Sequence, residues 1–154
     1  MMKVKKTILA EEVQALREAT GAGVMDCRKA LMDTAGDIEA AKKLIQERGL
    51  TKVEKRAGRV TGAGLVHSYV HNGRIGVLVD LRAETDFVVR SEPFRALAHE
   101  LAMQIAATAP ADVDELLAQP YIKDESRTVK DIVNDVIAKA GENVSVNQFS
   151  RLEV

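Results

Sequence analysis

From Thr7 to Gly49 the apolar positions fall into three short helical groups separated by glycines. Leu9, Val13 and Leu16 follow Thr7, which suits an N-cap, and Thr20-Gly21-Ala22-Gly23 ends the first helix. A second helix is expected from about Val24 to Thr34, stopping near Gly36. Asp37 suits the cap of a third, in which Ile38, Ala41, Leu44, Ile45 and Arg48 recur at helical spacing before Gly49. Three helices this short make a bundle that is marginal alone, so residues 1–50 read as a docking module attached to something larger.

Residues 51–63 begin basic, turn glycine-rich and show no apolar period, which predicts a linker. From residue 64 to 154 the pattern is that of an α+β core. Two β-branched runs flank Asn72-Gly73, a dipeptide that tolerates positive φ and so suits a type I′ hairpin turn. Ile75, Val77, Val79, Leu81 and Ala83 alternate onto one face, which needs a cover. Phe94, Leu97, Ala98, Leu101 and Ile105 supply it, as a helical stripe after a Ser91/Pro93 start signal. A short helix follows near Val113 to Ala118. Val129, Ile132, Val133, Val136, Ile137 and Ala140 then form a further stripe, closed by Gly141, and the tail from Asn143 has strand character. The expected fold is a three-stranded antiparallel sheet backed by helices, with a three-helix module in front.

Composition narrows the class. The chain has 154 residues, 46% of them hydrophobic and 29% charged. A chain of this length buries roughly 70% of its unfolded surface, enough for a real core without disulfides or metals. With 22 basic and 23 acidic residues the net charge is −1, so no electrostatic footprint calls for nucleic acid or an anionic membrane. The single Cys27 excludes an intrachain disulfide framework and fits a reducing compartment. The N-terminus starts basic, but Glu11 and Glu12 interrupt the apolar stretch, so it does not read as a signal peptide and a cytoplasmic location is expected.

Candidate chemistry is sparse. His67 and His71 would share a strand face, but four residues at ~3.3 Å each place them ~13 Å apart, too far to chelate one ion together. His99 has no nucleophile signature beside it, and Cys27 reads as a small helix residue despite Arg28 and Lys29. Neither glycine-rich stretch spells a phosphate loop. With two Tyr, three Phe and no Trp, a base-stacking platform has no material. No cofactor or metal is expected.

Scarcity makes "ETDFVVR" (84–90) conspicuous, because Phe87 is out of step with the stripe that starts at Phe94. Phe87 either folds back as a core plug or stands out as a wedge. Leaving a Phe in water forgoes ~1.5 to 3 kcal/mol of burial, a cost that a partner's pocket would offset.

The stretches "LREATGAGVMDCRKAL", "AGRVTGAGLVHSYVHNGRIGVLVDL", "ETDFVVR" and "TVKDIVNDVIAKAGENV" together resemble bacterial elongation factor Ts, nearly end to end. The resemblance implies a guanine-nucleotide exchange factor for elongation factor Tu, acting by binding alone, without covalent chemistry of its own. It implies a ubiquitin-associated-like helical domain at residues 1–50. There Leu16, Arg17, Thr20, Gly21, Gly23, Val24, Met25, Asp26 and Cys27 would dock on the partner's nucleotide-binding domain, in its GDP-bound or nucleotide-free state. The family's Mg²⁺-dislodging element falls on Thr85, Asp86, Phe87 and Val88. The family often has an asparagine-cysteine pair at Arg82-Ala83, an alanine at Val89 and basic residues at Asn147 and Gln148. Long members carry a second core subdomain; this chain resembles the short form, in which two chains pair through the core. Two other classes stay open on the residues alone: a binding or chaperone module that never drives exchange, and a small enzyme built on His99.

Overall fold

The computed structural model describes residues 7–154; the basic start of the chain lies outside them. The chain divides into two compact units, Met1–Glu54 and Lys55–Val154.

The first unit is helical: α1 (Ala10–Thr20), α2 (Val24–Asp33) and α3 (Ile38–Arg56). Leu16, Cys27, Ala30, Leu31 and Ala41 are fully buried, with Ile8, Val13, Leu44 and Ile45 packed around them. Two expectations need correction. The N-cap of α1 is Leu9, not Thr7, and Glu12 closes that end by accepting the Leu9 N–H at 3.0 Å. Gly49 does not end the third helix, which runs on to Arg56 and removes residues 51–56 from the expected linker. A helix-interior glycine costs only about 1 kcal/mol, too little to stop a helix flanked by good formers such as Leu50, Lys52 and Glu54. Asp37 does cap α3, its carboxylate accepting the Ala40 N–H at 3.0 Å.

The second unit holds β1 (Ala63–His71), β2 (Ile75–Ala83), α4 (Asp86–Val89), α5 (Glu92–Thr108), α6 (Val113–Ala118), β3 (Pro120–Tyr121), β4 (Asp124–Thr128), α7 (Val129–Ala140) and β5 (Val144–Glu153). The fold is α+β, and its main sheet is antiparallel in the order β1-β2-β5. Asn72 and Gly73 both have positive φ, as the hairpin turn requires. Val77, Val79, Leu81 and Ala83 are buried on one face of β2, under Phe94, Leu97, Ala98, Leu101 and Ile105 of α5. Arg151 of β5 closes the C-terminal end of that helix, donating from Nη2 to the Ala106 carbonyl at 3.0 Å.

On the opposite face Val66, Val70, Leu78 and Leu152 stay exposed, placed together by the pairs Val66–Asp80, Ser68–Leu78, Val70–Gly76 and Gly76–Leu152. Asp80 stands at the centre of this face and is only 8% exposed. Arg82 grips its carboxylate at 2.6 and 3.0 Å, and Asn147 donates to it at 2.9 Å. Asn147 is the extra residue of a β-bulge, since Asp80 pairs with Gln148 and Leu81 with Val146.

The β3–β4 hairpin has no counterpart in the apolar pattern. It is held by Gln104, a fully buried amide of α5 that donates to the Pro120 carbonyl at 3.1 Å and accepts the Ile122 N–H at 3.0 Å.

Candidate functional site

Between β2 and α5 the chain forms a four-residue helix, α4, which presents Phe87 to solvent. A helix this short has no cooperative stability of its own, so its caps and anchors must hold it. Thr85 is the N-cap, its hydroxyl oxygen facing the Val88 N–H at 3.5 Å. Val88 and Val89 face inward and are buried. The Ser91 hydroxyl donates to the Val88 carbonyl at 2.6 Å, tying the end of α4 to the start of α5. Two exposed residues result, Asp86 and Phe87, on a backbone fixed from below. Of the alternatives the sequence leaves open, the core plug is excluded: Phe87 is 85% exposed. Val88, expected beside it in the same element, is instead an anchor.

Residues 142 and 143 complete this arrangement, and no local pattern points to them. Glu142 takes both donors of Thr85, the hydroxyl at 2.6 Å and the N–H at 3.0 Å, across 57 positions of sequence. Asn143 is buried; its N–H donates to Glu84 at 2.7 Å and its side-chain amide to the Arg59 carbonyl at 3.0 Å.

The expected docking residues of the helical unit sort in the same way, into a surface and its support. Arg17, Gly21, Gly23, Val24, Met25 and Asp26 are exposed along the end of α1, the turn and the start of α2, and Met25 reaches 71% exposure. Leu16 and Cys27 are fully buried beneath them. Thr20 is half-buried: its hydroxyl donates to the Leu16 carbonyl at 2.7 Å and accepts the Ala22 N–H at 3.3 Å, which shapes the turn. Gly21 has a φ of 67°, a conformation that costs a side-chain-bearing residue strain. Asp26 meets Lys52 at 3.4 Å. The exposed Val24 and Met25 give this end of the unit an apolar tip next to a glycine turn.

The histidines gather elsewhere. His67 Nε2 lies 3.2 Å from His99 Nδ1, and the Tyr69 hydroxyl lies 2.9 Å from His71 Nδ1. Burial first, and the nearby His99 second, hold His67 below the ordinary imidazole value. Among the described residues no group of three or more His, Cys, Asp or Glu is arranged to hold a metal. Cys27 is a free, buried thiol.

Comparison with known proteins adds a family to this geometry. The family model described as elongation factor TS matches residues 84–154, beginning at the residue before the Thr85 cap. An elongation factor Ts of Moorella thermoacetica is 42% identical over 96% of this chain and 95% of its own length. That of Desulforamulus reducens is 41% identical, over 96% of this chain and 89% of its own. That of Thermotoga neapolitana is 40% identical, over 92% and 94%. Identity at this level across nearly the whole chain makes the chain a member of the elongation factor Ts family.

Proposed function

We propose that this protein is the guanine-nucleotide exchange factor of elongation factor Tu. It docks through the α1–α2 turn and uses Asp86 and Phe87 as a wedge against the partner's nucleotide site. The observation that carries the reading is an aromatic ring left in water on a backbone that two buried valines, a capping threonine and a serine hold in place. A flexible exposed Phe would lose much of its binding energy to ordering; a fixed one is preorganised for a pocket.

The mechanism is differential binding, with no covalent step. Mg²⁺ on the partner bridges phosphate oxygens and offsets their charge. A wedge that shifts the surrounding backbone dislodges the ion and weakens the hold on GDP. By linkage, bound nucleotide weakens the hold on the exchange factor by the same factor, so the complex dissolves when GTP enters. The work belongs to the cytoplasm, where translation takes place, and needs no cofactor of this chain's own.

A second part of the proposal concerns self-association. Val66, Val70, Leu78 and Leu152 form an exposed apolar surface on an otherwise ordered sheet, and a second copy of the chain covers it in the short-form reading. Sedimentation across a concentration series tests this. A dimer at micromolar concentration that Leu78→Lys converts to monomer supports the pairing, and a wild-type monomer removes it.

The exchange role is tested by stopped-flow release of a fluorescent GDP from elongation factor Tu in excess Mg²⁺. Strong acceleration by the wild type, lost in Phe87→Ala with docking retained, is the expected result. Binding without acceleration would leave a module that holds the GTPase without driving exchange, and would overturn the wedge.

A further inference from the structure

We infer that Glu142 is a positioning residue for Phe87, acting at a distance through Thr85. The inference rests on the wedge reading above for its functional consequence, and on geometry alone for its structural one.

α4 cannot hold itself. With four residues it completes barely one turn, so the direction of Phe87 follows the orientation of the cap residue Thr85. That orientation is set by one carboxylate. Glu142 accepts the Thr85 N–H through Oε2 at 3.0 Å and the Thr85 hydroxyl through Oε1 at 2.6 Å. With the hydroxyl proton committed to Glu142, the remaining lone pairs of Oγ1 face the Val88 N–H, which is the capping contact. A threonine without this partner could spend its hydroxyl on water and rotate. The bonds are charge-assisted, which compensates for their partial exposure to solvent.

Glu142 is itself delivered with little freedom. Gly141 ends α7 with a φ of 73°, turning the chain back toward β2. The next residue, Asn143, is buried and gripped by Glu84 and by the carbonyls of Ala57 and Arg59, and Val144 then pairs with Ala83 as β5 begins. Residues 142 and 143 thus hold residues 84 and 85 as a clamp, with a donor running one way and acceptors the other. A residue needed only for the fold could be satisfied by Asn143 alone. The additional carboxylate acts on the cap of the helix that bears the wedge.

The test pairs a measurement on the free protein with one on exchange. In the free protein, hydrogen exchange of the Val88 amide should quicken about tenfold in Glu142→Ala, as expected when a charge-assisted cap is lost, and Glu142→Gln, which keeps one acceptor, should fall between. Unchanged exchange at Val88 would overturn the clamp. In stimulated GDP release, Glu142→Ala should lower the maximal rate at saturating factor about tenfold while leaving the half-saturating concentration within about twofold. Full rescue of the maximal rate is expected in neither variant, partial rescue in Glu142→Gln. If both parameters worsen together, Glu142 serves the fold of the unit and the positioning role fails. Phe87→Ala, run alongside, separates the two claims. A Phe87→Ala variant that still accelerates release defeats the wedge, and with it the functional half of this inference, while the Val88 amide decides the structural half.

Discussion

Phe87 and Val88 are adjacent in the chain yet lie at opposite extremes of exposure, 85% and 4%. Successive helical residues are rotated by about 100°, and that rotation divides function from stability. Phe87→Ala removes a ring that touches little in the free protein, so its unfolding free energy should change by less than about 0.5 kcal/mol. Val88→Ala removes two buried methyl groups and leaves a small cavity, at a cost of about 2 kcal/mol. Urea unfolding of the two variants checks both values; a large loss in Phe87→Ala would mean that the ring is part of the core after all.

His67 gives the fold a mild acid sensitivity. Burial, and then the neighbouring His99, lower its pKa below the ordinary 6.5. The group that charges is half-buried and faces His99, whose ring in turn meets Tyr69 edge-on. The unfolded chain therefore binds a proton before the folded chain does. Stability from this site is fully present above about pH 6.5 and declines as pH falls from there through the folded value. Denaturant midpoints of wild type and His67→Gln should converge between pH 7.5 and 5, at the rough scale of one titrating imidazole. Parallel pH profiles would show that His67 is not the sensing group.

Tyr121 is raised to about 12, by burial first and by its hydrogen bond to Glu100 second. The hydroxyl donates to Glu100 Oε2 at 2.6 Å, while Lys123 reaches Oε1 at 2.6 Å. Burial opposes ionisation of Glu100, but these two donors outweigh it and its carboxyl lies below the usual value. A phenol with a raised pKa stabilises the fold below the unfolded value near 10, and that stability is lost as pH rises toward 12. The chain has two tyrosines. Absorbance titration should show one phenolate appearing only near pH 12, and Tyr121→Phe should abolish that late phase. If the late phase survives in Tyr121→Phe, it does not belong to Tyr121 and the raised phenol is refuted.

These elements differ in how far the sequence announces them. α5, α7 and the β1–β2 hairpin are legible because burial imposes a period: Phe94 to Ile105, Val129 to Ala140, and the alternation of Val77, Val79, Leu81 and Ala83 are the imprint of one core. α4 is too short to carry a period, and the direction of Phe87 depends on the burial of Val88, the local Ser91 bond and the distant Glu142, none of which shows as a period. The β3–β4 hairpin is written in polar residues, Asp124 to Thr128, and takes its place from the buried amide of Gln104. Glu142 lies in one of the stretches that carry the family resemblance, but no local pattern ties it to Thr85, since that partner is far along the chain. Family resemblance supplied Thr85 to Val88 as a unit, but only burial separates the exposed Thr85, Asp86 and Phe87 from the anchor Val88.

The polar cluster on the open sheet face yields a prediction with a steric origin. The Arg82 guanidinium first, and Asn147 with it, hold the Asp80 carboxyl below its ordinary value against the opposing effect of burial. Gly64 makes this possible: it pairs with Arg82 across the hairpin, and a Cβ on it would stand 2.5 Å from Arg82 Cδ and 3.2 Å from the Leu81 carbonyl. The arginine side chain lies over the bare backbone of Gly64 to reach Asp80. Gly64→Ala should push Arg82 aside, because a carbon contact at that distance cannot be tolerated and the Leu81 carbonyl limits relief on the other side. Asp80 then loses its strongest partner while remaining buried, so its pKa should move back toward 3.8 or above it. Stability due to a depressed carboxylate is present above the unfolded value and is lost as pH falls through the folded one. Wild type should accordingly keep its acid resistance further below pH 4 than Gly64→Ala. A carboxyl-detected NMR titration of Asp80 in both proteins gives the answer directly. Equal Asp80 titrations would mean that Arg82 finds another path to the carboxylate, and that the glycine is there for the strand rather than for the ion pair.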